Sequence, residues 1–164
     1  MLWHPLIVAY CYWKIYGFPW NPKLWACFYL HDIGYFGCST MDGENDGKWH
    51  PIRGSYLIGN LFGIQWQLYC LFHSRAMQKQ YNEFFSSSEY FKSLLPKTKI
   101  SKLCIADKLA VKYTPLFCFN KDELKEYMDD CGCTDKKEWK ILISKWAEDF
   151  VNTNKDSAYD VSDY

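Results

Sequence analysis

The residues able to do chemistry are few and ordered. Histidine occurs only four times in 164 residues, at His4, His31, His50 and His73, all in the first half of the chain. His31 is followed directly by Asp32, and Asp107 interrupts the apolar stretch Leu103-Cys104-Ile105-Ala106. A carboxylate in such a stretch is costly to bury unless it is paired or bound to a cation. Neutral imidazole with carboxylate is the ligand set that suits iron, manganese, cobalt or zinc, and ligands on facing helices can converge in a bundle core. Consecutive helical residues point about 100° apart. A His-Asp doublet can therefore place its imidazole on one ion while the carboxylate, with two oxygens, reaches toward a second. Taken singly, a histidine on an apolar helix is more often a satisfied core residue, and an HD dipeptide is common by chance. The whole ordered set is far more specific.

The elements that must position these residues read as helices almost throughout. Residues 4–16 form a buried helix ended by Gly17 and Pro19. Asn21 is a good N-cap, with Pro22 in the first helical position, so a second helix runs to about Ile33. Residues 36–48 are a polar loop. A third helix starts near Pro51 and runs to Phe62, and Gly63 separates it from a fourth over 64–80 that contains His73. Ser86, Ser87 and Ser88 mark a break before a short helix at 89–95, closed by Pro96. Ser101 caps a helix over 102–113, Asn120 one over 121–130, and Thr134 opens a last long helix to about Asn152. No segment alternates with period two, so strands are few. The fold class is all-α. The expected organisation is one domain over 1–152, with a core at 4–112 and extra C-terminal helices at 113–152. A flexible acidic tail is expected over 153–164.

Composition narrows the partners. Nineteen basic and nineteen acidic side chains cancel, which gives no strong nucleic-acid signal. The apolar runs are too short for a membrane span. The eight cysteines include no CxxC pair, and five lie in apolar runs, where a thiol behaves as a small hydrophobe. Cys131-Gly132-Cys133 reads as a tight turn between helices. With no signal-peptide pattern at the start, the expected compartment is cytoplasmic. Aromatics make up 20% of the chain. Tyr10, Trp13, Trp25, Phe28 and Tyr29 recur at helical spacing and read as core, and any surplus would serve a homo-oligomer interface. Trp49, beside His50, and Trp66 are core residues or platforms for a nucleobase.

The stretches His4-Pro5-Leu6-Ile7-Val8-Ala9, Leu30-His31-Asp32-Ile33-Gly34, His50-Pro51-Ile52-Arg53-Gly54, Phe72-His73-Ser74-Arg75 and Ile105-Ala106-Asp107-Lys108 follow in that order. Together they resemble the HD-domain superfamily of metal-dependent phosphohydrolases, whose pattern is H…HD…H…H…D. The resemblance covers about residues 4–112, and HPIRG, HSR and LCIADKLA also look like small HD proteins of phages and prophages. It implies an HD-domain helical bundle with the metal site between its central helices. It implies that His4, His31, Asp32 and Asp107 hold one divalent ion, and that Asp32, His50 and His73 hold a second, with Asp32 bridging. Iron, manganese, cobalt and zinc all suit the set. The implied activity is hydrolysis of a small phosphorylated substrate, a nucleotide or related phosphoester, in a bacterial host cytoplasm if the chain is phage-encoded. Asp32 and Asp107 would take the water's proton, and Arg75 and Lys108 would stabilise phosphoryl charge. Two departures matter. Tyr35 stands where many members have a phosphate-contacting lysine, and the GYP signature of cyclic-dinucleotide-cleaving members is absent. Arg53, Lys97, Lys99, Lys102 and Lys112 are further cations near the pattern. The alternatives are a di-iron oxygenase on the same ligands and a non-catalytic ligand- or protein-binding HD protein.

Overall fold

The structure is a computed structural model that describes residues 3–38, 46–75, 77, 100–119 and 121–161. Seven α-helices and no strand occur among the described residues. They are α1 (Trp3–Tyr16), α2 (Pro22–Leu30), α3 (His50–Phe62), α4 (Ile64–Leu71), α5 (Lys102–Tyr113), α6 (Lys121–Asp130) and α7 (Lys136–Asn154). The expected helix at 89–95, the Ser86–Ser88 break, Pro96, Lys97 and Lys99 lie outside the described residues. No described helix is long and apolar enough to cross a membrane.

The boundaries follow local chemistry. Asn21 accepts a bond from the Lys23 amide at 3.0 Å and starts α2, and Ser101 accepts one from the Cys104 amide at 3.2 Å and starts α5. The last helix opens at Asp135 rather than Thr134, because the Asp135 carboxylate takes the Lys137 amide at 2.7 Å. Gly132 closes α6 with a positive φ. The Cys133 amide donates to Met128 and the Gly132 amide to Asp129, a Schellman end. Cys131-Gly132-Cys133 is thus a turn, and all eight cysteines are free thiols.

The main core gathers Val8, Phe28, Ile58, Tyr69, Phe72, Leu103 and Ile105, so α1 to α5 share one interior. Within it, α3 lies along α4, while α5 lies between α1 and α7. A small second cluster of Leu124, Cys133 and Trp139 packs α6 onto α7.

Two expectations change. Residues from 153 onward are not a frayed tail as far as 161. The Lys155–Ser157 turn leads into Tyr159, whose amide donates to Ile100 and whose carbonyl accepts from Lys102. Tyr159 and Val161 are buried in the main core, and Asp160 pairs with Lys102 at 2.9 Å. Two buried apolar side chains spaced by an acid were enough to fix this segment. Second, Tyr10, Trp13 and Tyr29 are exposed rather than core. Trp3, Leu6, Tyr10 and Trp13 form an exposed stripe on α1, because the small residues Val8, Ala9 and Cys11 face inward instead. Trp66 is buried against Phe62 and Tyr69, which removes it as a nucleobase platform. Trp49 is partly exposed.

Candidate metal centre

The helices bring all six candidate ligands to one place. His4 comes from the first turn of α1, His31 from the end of α2, Asp32 from the turn after it, His50 from the start of α3 and Asp107 from the middle of α5. His73 was expected inside a long fourth helix. That helix stops at Leu71 instead, and Phe72 leaves helical geometry at φ −84°, ψ 15°, turning His73 inward. Asp32 sits at φ −98°, ψ 6°, where the chain tightens into the Ile33–Tyr35 turn rather than continuing α2 to Ile33. This sparsely populated backbone region often holds active-site residues.

The atoms fall into two groups that share Asp32: His4, His31, Asp32 and Asp107, and Asp32, His50 and His73. Within each group the ligand atoms lie within 4.8 Å of one another, close enough to hold a metal ion. Asp32 divides its oxygens between them. Its Oδ2 is 3.2 Å from Nε2 of both His4 and His31, and its Oδ1 is 3.4 Å from Nε2 of both His50 and His73. Asp107 faces the first group with Oδ1, 3.0 Å from His4 Nε2, and gives Oδ2 to Lys108 at 2.8 Å.

Three imidazoles are oriented from behind by the backbone. His31 Nδ1 donates to Phe28 at 3.0 Å, His50 Nδ1 to Gly47 at 2.8 Å and His73 Nδ1 to Cys70 at 2.6 Å. With Nδ1–H committed, each neutral ring turns its Nε2 lone pair into the cluster, the arrangement usual for metal-ligating histidine. The residues fit a metal on two further grounds. His31 Nε2 is buried without a hydrogen-bond partner, despite its short distances to the carboxylates. The Nε2 atoms of His50 and His73 face each other at 3.3 Å. Two lone pairs so placed repel unless a cation or proton lies between them.

The electrostatics agree. Burial alone would lower the pKa of His31, yet the charge of Asp32 and the nearby carboxylate oxygens raise it to about 10. Burial opposes protonation of His4 as well, but its bonds to Asp107 and Asp32 raise it to about 9. Burial would raise both carboxyls. His31 holds Asp32 well below the usual range, and the charge of Lys108 does the same for Asp107. The surroundings of His4 and His31 thus favour positive charge beside the two carboxylates.

Two glycines make the approach of these elements feasible. A Cβ on Gly34 would sit 2.0 Å from the His50 carbonyl oxygen, and one on Gly54 would sit 2.5 Å from that of His31. Gly54 also had a sequence signal, since a glycine within a helix is unfavourable by about 1 kcal/mol against alanine and asks for a reason. The backbone acceptors had none. Nor did the stacking of Tyr35 on His50, at 3.7 Å between centroids and 20° between planes.

The cations are split. Lys108 is in the cluster through Asp107. Arg75 is exposed, with its guanidinium over the Phe150 ring at 5.5 Å, and its described contacts do not include the histidines. Stacking on α7 draws this side chain away. Arg53 reaches the Gly34 carbonyl at 3.5 Å, Lys102 pairs with Asp160, and Lys112 pairs with Glu148. No family model, no curated protein and no solved structure matches the chain.

Proposed function

We propose that the protein is a metal-dependent phosphohydrolase of the HD-domain type that takes two divalent transition ions and cleaves a small nucleotide or related phosphoester. The observation that carries this reading is the convergence of four imidazole nitrogens on the two oxygens of Asp32, with the Nε2 atoms of His50 and His73 facing each other. His4, His31, Asp32 and Asp107 would hold one ion, and Asp32, His50 and His73 the other. When bound, such ions acidify water toward hydroxide and neutralise phosphoryl oxygens.

The chain's own groups do the rest. Asp32 and Asp107 are the carboxylates of the centre, and an oxygen of theirs not used to hold an ion would take the water's proton. Lys108 pairs with Asp107 at 2.8 Å, and its ammonium would add stabilisation of phosphoryl charge. The side chains of His4, Asp32 and Lys108 are each about 30% exposed, whereas His31, His50 and His73 are nearly closed off. Arg75 would be a second cation for phosphoryl charge only on leaving the Phe150 ring.

The test is metal content of anaerobically purified protein, followed by hydrolysis of a nucleotide panel with added Mn²⁺, Co²⁺ or Fe²⁺. Metal-dependent turnover, lost in His31→Ala and Asp32→Ala, is the expected result. Bound metal with no turnover on any substrate would overturn the hydrolase reading. One observation favours a second reading, an HD-fold di-iron oxygenase. Tyr35 replaces the family's phosphate-contacting lysine, and its ring lies flat on His50. Oxygen consumption and a mixed-valence iron resonance would distinguish it. Metal-independent ligand binding, unchanged in the same two variants, would identify a non-catalytic binder.

A further inference from the structure

The two halves of the cluster differ in exposure, with His4 about 30% exposed and His50 and His73 nearly closed off, and Tyr35 stacks on His50. His50 opens α3 directly after a 3-10 turn. Its ring is fixed in two ways. The Nδ1–H bond to Gly47 at 2.8 Å sets its rotation. The phenol ring of Tyr35, 3.7 Å away and tilted by only 20°, sets its plane. Tyr35 is itself held, because its amide donates to the Asp32 carbonyl at 3.0 Å and the Cys38 amide donates to its own carbonyl. The preceding Gly34 is pressed against the His50 backbone so closely that no side chain fits. One short turn thus ties the bridging carboxylate to the histidine that must share an ion with it.

We propose that Tyr35 is a positioning residue that seals and orients the Asp32–His50–His73 position, so that this position holds its ion tightly while the open His4–His31–Asp32–Asp107 position exchanges its ion. The inference rests on the two-ion reading above. An imidazole bound to a cation becomes electron-poor, and an electron-rich phenol face against it then stacks more favourably. The stack therefore favours the loaded state over the empty one. Groups that orient a metal-ligating histidine typically change metal affinity by about 10–100-fold when removed.

The experiment is Co²⁺ titration of the metal-free full chain, read by visible absorption and by stoichiometry after timed chelation. Wild type, Tyr35→Phe and Tyr35→Ala are compared, with a thermal melt of each metal-free protein. Wild type should bind two ions, and a chelator should remove one quickly and one slowly. Tyr35→Phe keeps the ring and should behave as wild type. Tyr35→Ala should lose the slow phase and weaken one of the two ions by about 10–100-fold, with the other unchanged. Two ions bound by Tyr35→Ala with wild-type affinity and chelation rates would overturn the proposal. Equal weakening of both, with a lowered metal-free melt, would also overturn it, as that is a general structural loss. Wild type that binds no Co²⁺ would overturn the two-ion reading itself, a distinct result.

Discussion

Gly54→Ala tests whether the close approach of α2 and α3 builds the centre. Gly54 lies in the first half of α3, and its missing side chain leaves room for two carbonyls at the end of α2. A Cβ there would be 2.5 Å from the His31 oxygen and 2.6 Å from the Leu30 oxygen. Both contacts are backbone, so no side chain can swing away. Restoring an ordinary contact of 3.4 Å requires the two helices to part by about 0.9 Å. Overpacking of this kind costs about 1–3 kcal/mol, and the melting temperature of a chain this size falls by roughly 2–4 °C per kcal/mol. The larger effect is on the ligands. His31 and Asp32 follow from one helix and His50 opens the other, whereas metal–ligand distances tolerate only about 0.2 Å. The substitution should therefore leave a folded, modestly destabilised protein that has lost most of its metal affinity. The assay is a thermal melt with Co²⁺ or Zn²⁺ stoichiometry, against Asn60→Ala on the exposed face of the same helix as control. Full metal uptake by Gly54→Ala, at wild-type affinity, would refute the reasoning even if the melt dropped as expected.

Further outcomes can be measured separately. The folded pKa values of His4 and His31, raised to about 9 and about 10, stand above their unfolded value of about 6.5. The stability they contribute is fully present below that value and is lost as pH rises through 9 to 10. Asp32 and Asp107 are depressed, so their contribution is present above about pH 4 and is lost on acidification. The melting temperature of metal-free protein should accordingly peak near pH 5–6.5 and fall toward pH 10, and a flat profile over that range would count against the assigned pairings. Lys108→Ala should leave the fold intact but weaken metal at the His4–Asp107 side by about 10–100-fold, read by stoichiometry after chelation. Arg75→Ala should remove no more than about 0.5–1 kcal/mol of exposed cation–π contact and leave metal content unchanged. Truncation after residue 154 removes the buried Tyr159 and Val161 with the Lys102–Asp160 pair. It should cost at least 3 kcal/mol on the ~3–5 kcal/mol scale of large buried side chains, as a denaturant titration would detect.

Helix positions were legible wherever a capping side chain or a glycine marked an end, as at Asn21, Ser101 and Gly132. They were less so where the backbone changes course without such a mark. Nothing in Cys70-Leu71-Phe72-His73 announces that α4 stops at Leu71, because the turn is held by a bond between the His73 ring and a carbonyl. The six ligand candidates were legible because their types are rare in this chain and two of them interrupt apolar surroundings. The orientation of His31, His50 and His73 was not, since it depends on backbone acceptors that any residue type can supply. Burial on α1 misled for a related reason. The helix is apolar on every face, so periodicity could not say whether Tyr10 and Trp13 or Val8 and Cys11 faced inward. The buried face carries Val8, Ala9, Cys11 and Tyr12. Residues 155–161 were read as tail from their acids, although Tyr159 and Val161 are the residues that dock them.

His4 is built differently from the other three histidines in three dimensions. His31, His50 and His73 each commit Nδ1 to a carbonyl within their own local turn. Each of these rings takes its orientation from an acceptor three residues earlier in the chain. Among the described residues His4 has no such backbone bond, and its orientation comes from Asp107 and Asp32 alone. Its helix is held in place by packing on α5, the element that carries Asp107. The first position is thus completed by tertiary contact between α1 and α5, whereas the second is largely prepared by local structure in the segments around His50 and His73. Any ion that binds His4 together with Asp107 joins α1 to α5. Occupancy of that position therefore bears on the stability of the α1–α5 contact as well as on chemistry. Metal binding there should slow hydrogen exchange in the first turn of α1 more than in α3.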